Sequence, residues 1–255
     1  MVILWSTVIV LVFFFGVFII GQILNNNSIV DIAWGLGFVV LYGLMLLVIG
    51  EYDLRRWLLM VMIGGWGLRL SYHIWLRNHG KPEDFRYQAM RQQWGTHWVR
   101  LKALVYVFLL QGLLLWVISF GLLNLLSQPT SGWTMLDSLG LLIWVVGIGF
   151  EVIGDWQLAK FKKDPTNKGK LMTTGLWAYT RHPNYFGEAV LWWGIWLIVL
   201  GGNGAWYTII SPLTITYLLM FVSGVPLLEK KMSQHPQFKE YAQHAGKFFP
   251  RIGKR

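Results

Sequence analysis

The chain has 255 residues, of which 55% are hydrophobic and only 13% charged, with 16 tryptophans and a mean hydropathy of +0.48. A soluble domain carries about 25% charged residues, so this composition excludes an ordinary soluble enzyme and points to an integral membrane protein. The formal net charge is +10 and there is no cysteine, which excludes disulfides, thiolate metal sites and a cysteine nucleophile.

Apolar stretches fall at roughly 3–24, 29–50, 54–76, 101–126, 134–158, 184–200 and 206–228. Each approaches the ~20 residues a helix needs to cross a bilayer. The pattern predicts an all-α membrane protein of about seven transmembrane helices, forming a single integral membrane domain over 1–255. The first stretch lacks a basic start and a small-residue cleavage pattern, so it is read as a retained span. Asp31 stands near the start of the second. A helix-start acid is favoured by the helix dipole; equally, a carboxylate at that depth faces protein or water and can serve a function. The third stretch holds Arg69, placed to pair with Asp31, and Tyr72 and His73 lie one turn on. His73 reads as a hydrogen-bonded structural histidine or as an acid. Segment 77–100, rich in Trp, Tyr, Arg and Gln, reads as an ordered cap between spans.

In the fifth stretch Glu151 and Asp155 share one helical face. Two acids at i, i+4 repel, so a ligand role is the better explanation of the pair. The face continues to Lys162. Gly147, Gly149 and Gly154 read as close helix packing, since no strand precedes them to make a dinucleotide fingerprint. Arg181-His182-Pro183-Asn184-Tyr185-Phe186-Gly187-Glu188 opens the sixth stretch. A cation, an imidazole, an amide, a phenol and a carboxylate are costly at a lipid boundary, so this cluster marks a site that holds something polar. Glu188 lies one helical turn after Asn184, and Tyr179 and Arg181 complete the rim. Residues 235–246 predict a short amphipathic helix with Phe238, Tyr241 and Ala242 on one side, suited to the membrane surface.

Nineteen of the 22 Lys and Arg lie between spans three and four, between spans five and six, or after the last span. With seven spans these segments share one face, which the positive-inside tendency makes cytoplasmic. The N-terminus is then outside and the C-terminus cytoplasmic, with Arg55 and Arg56 on the wrong side beside Glu51 and Asp53. The net charge follows from this topology, and the same face attracts a polyanionic ligand such as a nucleotide cofactor. Nucleic-acid binding is not expected, because the cations are tied to membrane loops. No metal set, Gly-x-Ser-x-Gly motif or phosphate loop is present.

The block Gly149-Phe-Glu151, Asp155, Lys162, Gly175-Leu-Trp177, Tyr179 and Arg181-His-Pro-Asn184-Tyr-Phe-Gly-Glu188 resembles the C-terminal domain of the steroid 5-alpha-reductase family, and more closely an uncharacterised bacterial branch of it. That branch also shows the Ser28-Ile-Val-Asp31-Ile-Ala-Trp34-Gly, Trp66-Gly-Leu-Arg69 and Pro226-Leu-Leu-Glu229-Lys230 stretches. The likeness is specific over about 149–188 and looser elsewhere. It implies more variable helices over 1–130 and a cofactor-binding, reductase-like region over 134–255. The protein would be a multi-pass protein of the bacterial inner membrane, bind NADPH, and reduce a carbon–carbon double bond of a steroid-like or other lipid enone.

By motif position the resemblance makes Asp155, Asn184 and Glu188 cofactor contacts, with Glu151, Tyr179 and Arg181 beside them. Lys81, Lys162 and Lys170 would face phosphate. Asp31, Tyr72 and His73 are the candidate acids. Two departures stand out: the family's catalytic tyrosine position falls on Gly67, and its second-helix Gln-Glu pair is missing. The same superfamily includes membrane methyltransferases that use S-adenosylmethionine and share Arg-His-Pro-x-Tyr. Asn184 with Glu188 favours the reductase, and residues 224–231 lack the paired glutamates of the methyltransferases.

Overall fold

The computed structural model describes residues 1–129 and 131–251; Lys254 and Arg255, counted above among the C-terminal cations, lie outside the described residues. Among these the chain is helical, with one bridge between Thr180 and Gly246. The helices are α1 (Val2–Ile23), α2 (Ile29–Ile49), α3 (Leu54–Asn78), α4 (Phe85–Trp94), α5 (Val99–Ile118), α6 (Phe120–Leu126), α7 (Met135–Lys163), α8 (Pro183–Gly201), α9 (Ile210–Tyr217), α10 (Val225–Met232) and α11 (Phe238–His244). Wider π-helical turns interrupt α5 at Leu104–Leu109 and extend α9 at Leu218–Val222.

Among the described residues, five segments are long and apolar enough to cross a bilayer: α1, α2, α5, α7 and Trp206–Met232. The expected third and sixth spans do form helices, α3 and α8, but fall outside this set. Four arginines dilute α3, and α8 opens on Asn184, Tyr185 and Glu188. The chain is thus an all-α membrane protein. The last apolar stretch is not one smooth helix. It breaks at Ser223 and Gly224, and α10 restarts with Pro226 in its first turn, where the missing N–H leaves no bond unmade.

The chain divides into two compact units, one of Met1–Trp133 with Gly202–Thr208, the other of Thr134–Gly201 with the chain from Ile209 onward. In the first, α2 and α3 cross at Gly35 and Gly67. A Cβ on Gly67 would stand 2.5 Å from the Gly35 carbonyl oxygen and 2.8 Å from Val39, so no side chain fits there. Trp66, Phe38, Tyr42, Phe14 and Phe108 fill the core around this crossing.

Polar ties close each end of this unit. At one end, the α1–α2 turn holds the cap of residues 79–98. Asn27 N–H donates to Glu83 (2.7 Å), and Asp84 N–H donates to Ser28 Oγ (2.7 Å). At the other end, buried Arg55 donates to the carbonyls of Ser131 and Gly132, both at 2.8 Å. Buried Arg56 donates to the Gln128 carbonyl (2.9 Å) and pairs with Glu51 (2.8 Å) and Asp53 (3.3 Å). These two cations are internal anchors, which explains why they sit apart from the other basic residues.

In the second unit α7 and α8 run antiparallel along a seam of glycines spaced by seven. Gly140, Gly147 and Gly154 on α7 face Gly194, Gly187 and the α8 start. Cβ atoms on Gly140 and Gly194 would each stand 2.6 Å from the other residue's carbonyl oxygen. A seven-residue period suits left-handed helix pairing, and small residues let membrane helices touch backbone to backbone. Gly201 continues the seam against Thr134 and Asp137, whose reciprocal bonds cap α7. Gly149, expected among the packing glycines, has open space about it; it lies off the seven-residue stripe.

Candidate functional site

The glycine seam sets the level of the polar residues. Where Gly187 packs against the backbone of Glu151, and Gly154 against Pro183 and Asn184, the side chains of Glu151, Asp155 and Glu188 are buried. Asn184 Nδ2 donates to Asp155 Oδ1 at 3.1 Å. Asn184 Oδ1 is buried and has no hydrogen-bond partner among the described residues. The structure therefore brings together the four residues Glu151, Asp155, Asn184 and Glu188. An unmet acceptor in a buried place is unfavourable, so the Asn184 amide oxygen is left able to accept one more N–H or O–H.

The motif ahead of α8 is held from three directions. The Trp177 indole donates to the Gly154 carbonyl (3.1 Å), and the Gln157 side chain accepts from Leu176 N–H (3.0 Å). The C-terminal tail pairs with residues 179–181 through the Thr180–Gly246 bridge, and Thr180 Oγ1 donates to the Phe248 carbonyl. Tyr241, expected on the membrane surface, instead donates from its buried hydroxyl to the Trp177 carbonyl (2.6 Å). Burial pushes that phenol's pKa up.

Arg181 is buried. It forms a two-pronged pair with Glu229 (2.9 and 2.7 Å) and donates to the Ala245 carbonyl (2.7 Å). These bonds occupy its guanidinium with holding the tail and α10, so its place in the site is that of a clamp. Periodicity and spacing do not mark Glu229 as a partner of Arg181. The signal available was its position as the lone acid beside Lys230 and Lys231 after a long uncharged run.

Glu229 also meets His182 Nε2 at 2.9 Å. Burial lowers the pKa of the imidazole below the ordinary histidine value, despite the opposing bond to Glu229. The neutral ring keeps its proton on Nε2 to donate to the carboxylate, leaving Nδ1 an acceptor. That atom is buried without a hydrogen-bond partner among the described residues.

The remaining candidates are placed as follows. Tyr179 is half exposed, and its carbonyl accepts from Gly246 and Arg251. Lys162 and Lys170 are exposed at the same end of α7. Lys81 is exposed and donates to the Arg77 carbonyl. Among the acid candidates, which belong to the first unit, Tyr72 is 60% exposed with its ring stacked on Trp75. His73 is partly buried. Asp31 is engaged from α4, by Arg86 at 2.6 Å and the Tyr87 hydroxyl at 2.6 Å, with Gln111 behind Tyr87 at 3.3 Å. Arg86 thus takes the role the sequence suggested for Arg69. It also holds Asp84: burial disfavours that charge, yet the Arg86 hydrogen bonds prevail and keep the carboxyl below the usual carboxylate range.

A family model described as a protein of unknown function, DUF1295, matches residues 17–245. The chain belongs to the DUF1295 family. Along this DUF1295 chain an uncharacterised protein of Schizosaccharomyces pombe is 25% identical over 272 residues, covering 92% of the chain and 78% of that protein. A probable O-methyltransferase, UstE, of Ustilaginoidea virens is 46% identical over 62 residues, which is 23% of the chain and 22% of that protein. No solved structure matches.

Proposed function

We propose that this DUF1295 protein is a membrane-embedded, NADPH-dependent reductase acting on a carbon–carbon double bond of a steroid-like or other lipid enone. The observation that carries the reading is the Asp155–Asn184 pair, whose amide oxygen is buried without a partner beside Glu151 and Glu188. Carboxylates with a free amide oxygen suit a ligand rich in hydroxyl and amide donors, such as ribose and a carboxamide. A polyphosphate is repelled by those acids and suits the exposed Lys162 and Lys170 instead. The residues present therefore fit a nucleotide of this kind, and the Asn-Tyr-x-Gly-Glu run of residues 184–188 resembles that of the reductases.

NADPH, when bound, would supply hydride to the double bond. Asp155, Asn184 and Glu188 orient the ligand, Glu229 and Arg181 hold the motif rigid, and an acid polarises the acceptor carbonyl. The candidates for that acid are Asp31, Tyr72 and His73; Asp31 is already engaged by Arg86 and Tyr87. Gly67, sealed against Gly35, cannot take up the role of a tyrosine, so the acceptor chemistry differs from that of the steroid enzymes. The protein crosses the bacterial inner membrane seven times, with the N-terminus outside and the C-terminus in the cytoplasm.

A second reading, an S-adenosylmethionine-dependent methyltransferase of a lipid or prenylated substrate, is favoured by the 46% identity to the probable O-methyltransferase over 62 residues. Thermal unfolding in detergent separates the two, because a ligand that binds only the folded state raises the midpoint. NADPH should stabilise the protein, and Asp155→Ala should shrink that shift at the same NADPH concentration. Stabilisation by S-adenosylmethionine alone moves the assignment to the methyltransferase.

A further inference from the structure

A second feature lies where the cap leads into α5. Trp98 has φ 58° and ψ 23°, a left-handed backbone that a bulky residue adopts only under strain. Its indole is nonetheless 74% exposed, so the strain is not repaid by burial in the core. Leu101, Lys102 and Val105 share one face of α5, and Trp98 stands just ahead of the helix start beside them. The wider π turn over Leu104–Leu109 carries Tyr106 round to join them. These five residues line an open cleft of about 390 Å³.

The cleft spans the first two turns of a helix apolar enough to cross a bilayer. At 1.5 Å per residue, Trp98 to Tyr106 covers about 12 Å, from headgroup level into the acyl region. Trp and Tyr favour that boundary. Leu101 and Val105 offer an apolar floor. Lys102 is held at the lip by one bond, Nζ to the Trp94 carbonyl at 3.0 Å, which leaves two ammonium N–H donors.

We propose that this cleft binds one anionic glycerophospholipid, with its phosphate on Lys102, an acyl chain along Leu101 and Val105, and the rings of Trp98 and Tyr106 on either side. The occupant is a lipid because the cleft opens at bilayer depth, and an anionic one because its sole lining charge is a cation. The strained Trp98 backbone serves to present the indole outward to that lipid.

The test is native mass spectrometry of the full chain in detergent, titrated with dioleoyl phosphatidylglycerol or dioleoyl phosphatidylcholine. One phosphatidylglycerol should be retained in preference to phosphatidylcholine. Lys102→Gln should weaken its retention about tenfold, the size of one charge-assisted bond, and Lys102→Arg should restore it. Trp98→Gly removes the left-handed strain, so it should melt no earlier than the parent while losing the retained lipid. Equal retention of the two lipids overturns the proposal, as does unchanged retention in Lys102→Gln. Early melting of Trp98→Gly with lipid still bound makes Trp98 a fold element and also overturns it.

Discussion

The glycine seam between α7 and α8 can be tested by adding one methyl group. In Gly194→Ala the new Cβ would stand 2.6 Å from Gly140 O, 2.7 Å from Trp144 N and 3.1 Å from Trp144 Cα, whereas ordinary contact begins at 3.4 Å. The neighbours are backbone atoms, so no side chain can swing aside, and the helices must part by roughly 1 Å in an interior that packs like a crystal. Overpacking by a methyl group costs roughly 1–3 kcal/mol, and a rigid seam belongs at the upper end. Alanine's better helix propensity returns up to about 1 kcal/mol, leaving a net loss of about 2 kcal/mol. Gly149→Ala is the control on the facing helix: nothing lies within 4 Å, so only the propensity gain remains and stability should hold or rise. Unfolding by sodium dodecyl sulfate titration in mixed micelles, followed by circular dichroism, measures both. Equal stability of the two variants would refute the backbone-to-backbone seam.

Asp155→Ala and Asn184→Ala should leave the unliganded protein folded while weakening nucleotide binding by about 1.5–3 kcal/mol, tenfold or more; isotherms beside melting curves check it, and early melting with normal binding would make the pair structural. His182 has its pKa depressed by burial, so the unfolded chain binds more protons through that window. Stability should be full above the unfolded value of about 6.5 and fall as pH drops through the folded one, by at most about 1.4 kcal/mol per pH unit; a flat profile from pH 7 to 5 contradicts this. Arg56→Met removes bonds to Gln128, Glu51 and Asp53 and should cost roughly 1.5–3 kcal/mol, read in the same micelle titration. Single cysteines at Gln93 and Lys168, unique labels in a cysteine-free chain, should be shielded from an impermeant thiol reagent in intact cells. A cysteine at Gly132 should be labelled; the opposite pattern reverses the topology.

Much of the architecture was legible because bilayer-length apolar runs report directly on helices, and all seven expected runs contain helix. The polar motif of residues 181–188 was also visible, since polarity at a lipid boundary needs a reason. What periodicity could not supply was partnership. Asp31 finds Arg86 and Tyr87 across 55 and 56 residues, and Arg181 finds Glu229 across 48; such pairs are set by how helices pack. The seam was present as a spacing of seven in Gly140, Gly147 and Gly154 and in Gly187, Gly194 and Gly201; of the three glycines expected to pack, Gly147 and Gly154 lie in it and Gly149 does not. The break at Gly224 was hidden because Ser, Gly and Pro are tolerated within membrane helices.

The buried arginines of α3 also set an order of events during synthesis. Arg55 and Arg56 emerge 72 to 77 residues ahead of the carbonyls that receive them. In the proposed orientation the α2–α3 turn is translocated before the carbonyls of Gln128, Ser131 and Gly132 exist. Glu51 and Asp53, already made, keep Arg56 as a partner in the finished fold, and on this orientation they are the acids available to offset the two cations while the later carbonyls are missing. Their neutralisation should therefore hinder membrane insertion of the nascent hairpin more than it weakens the finished protein.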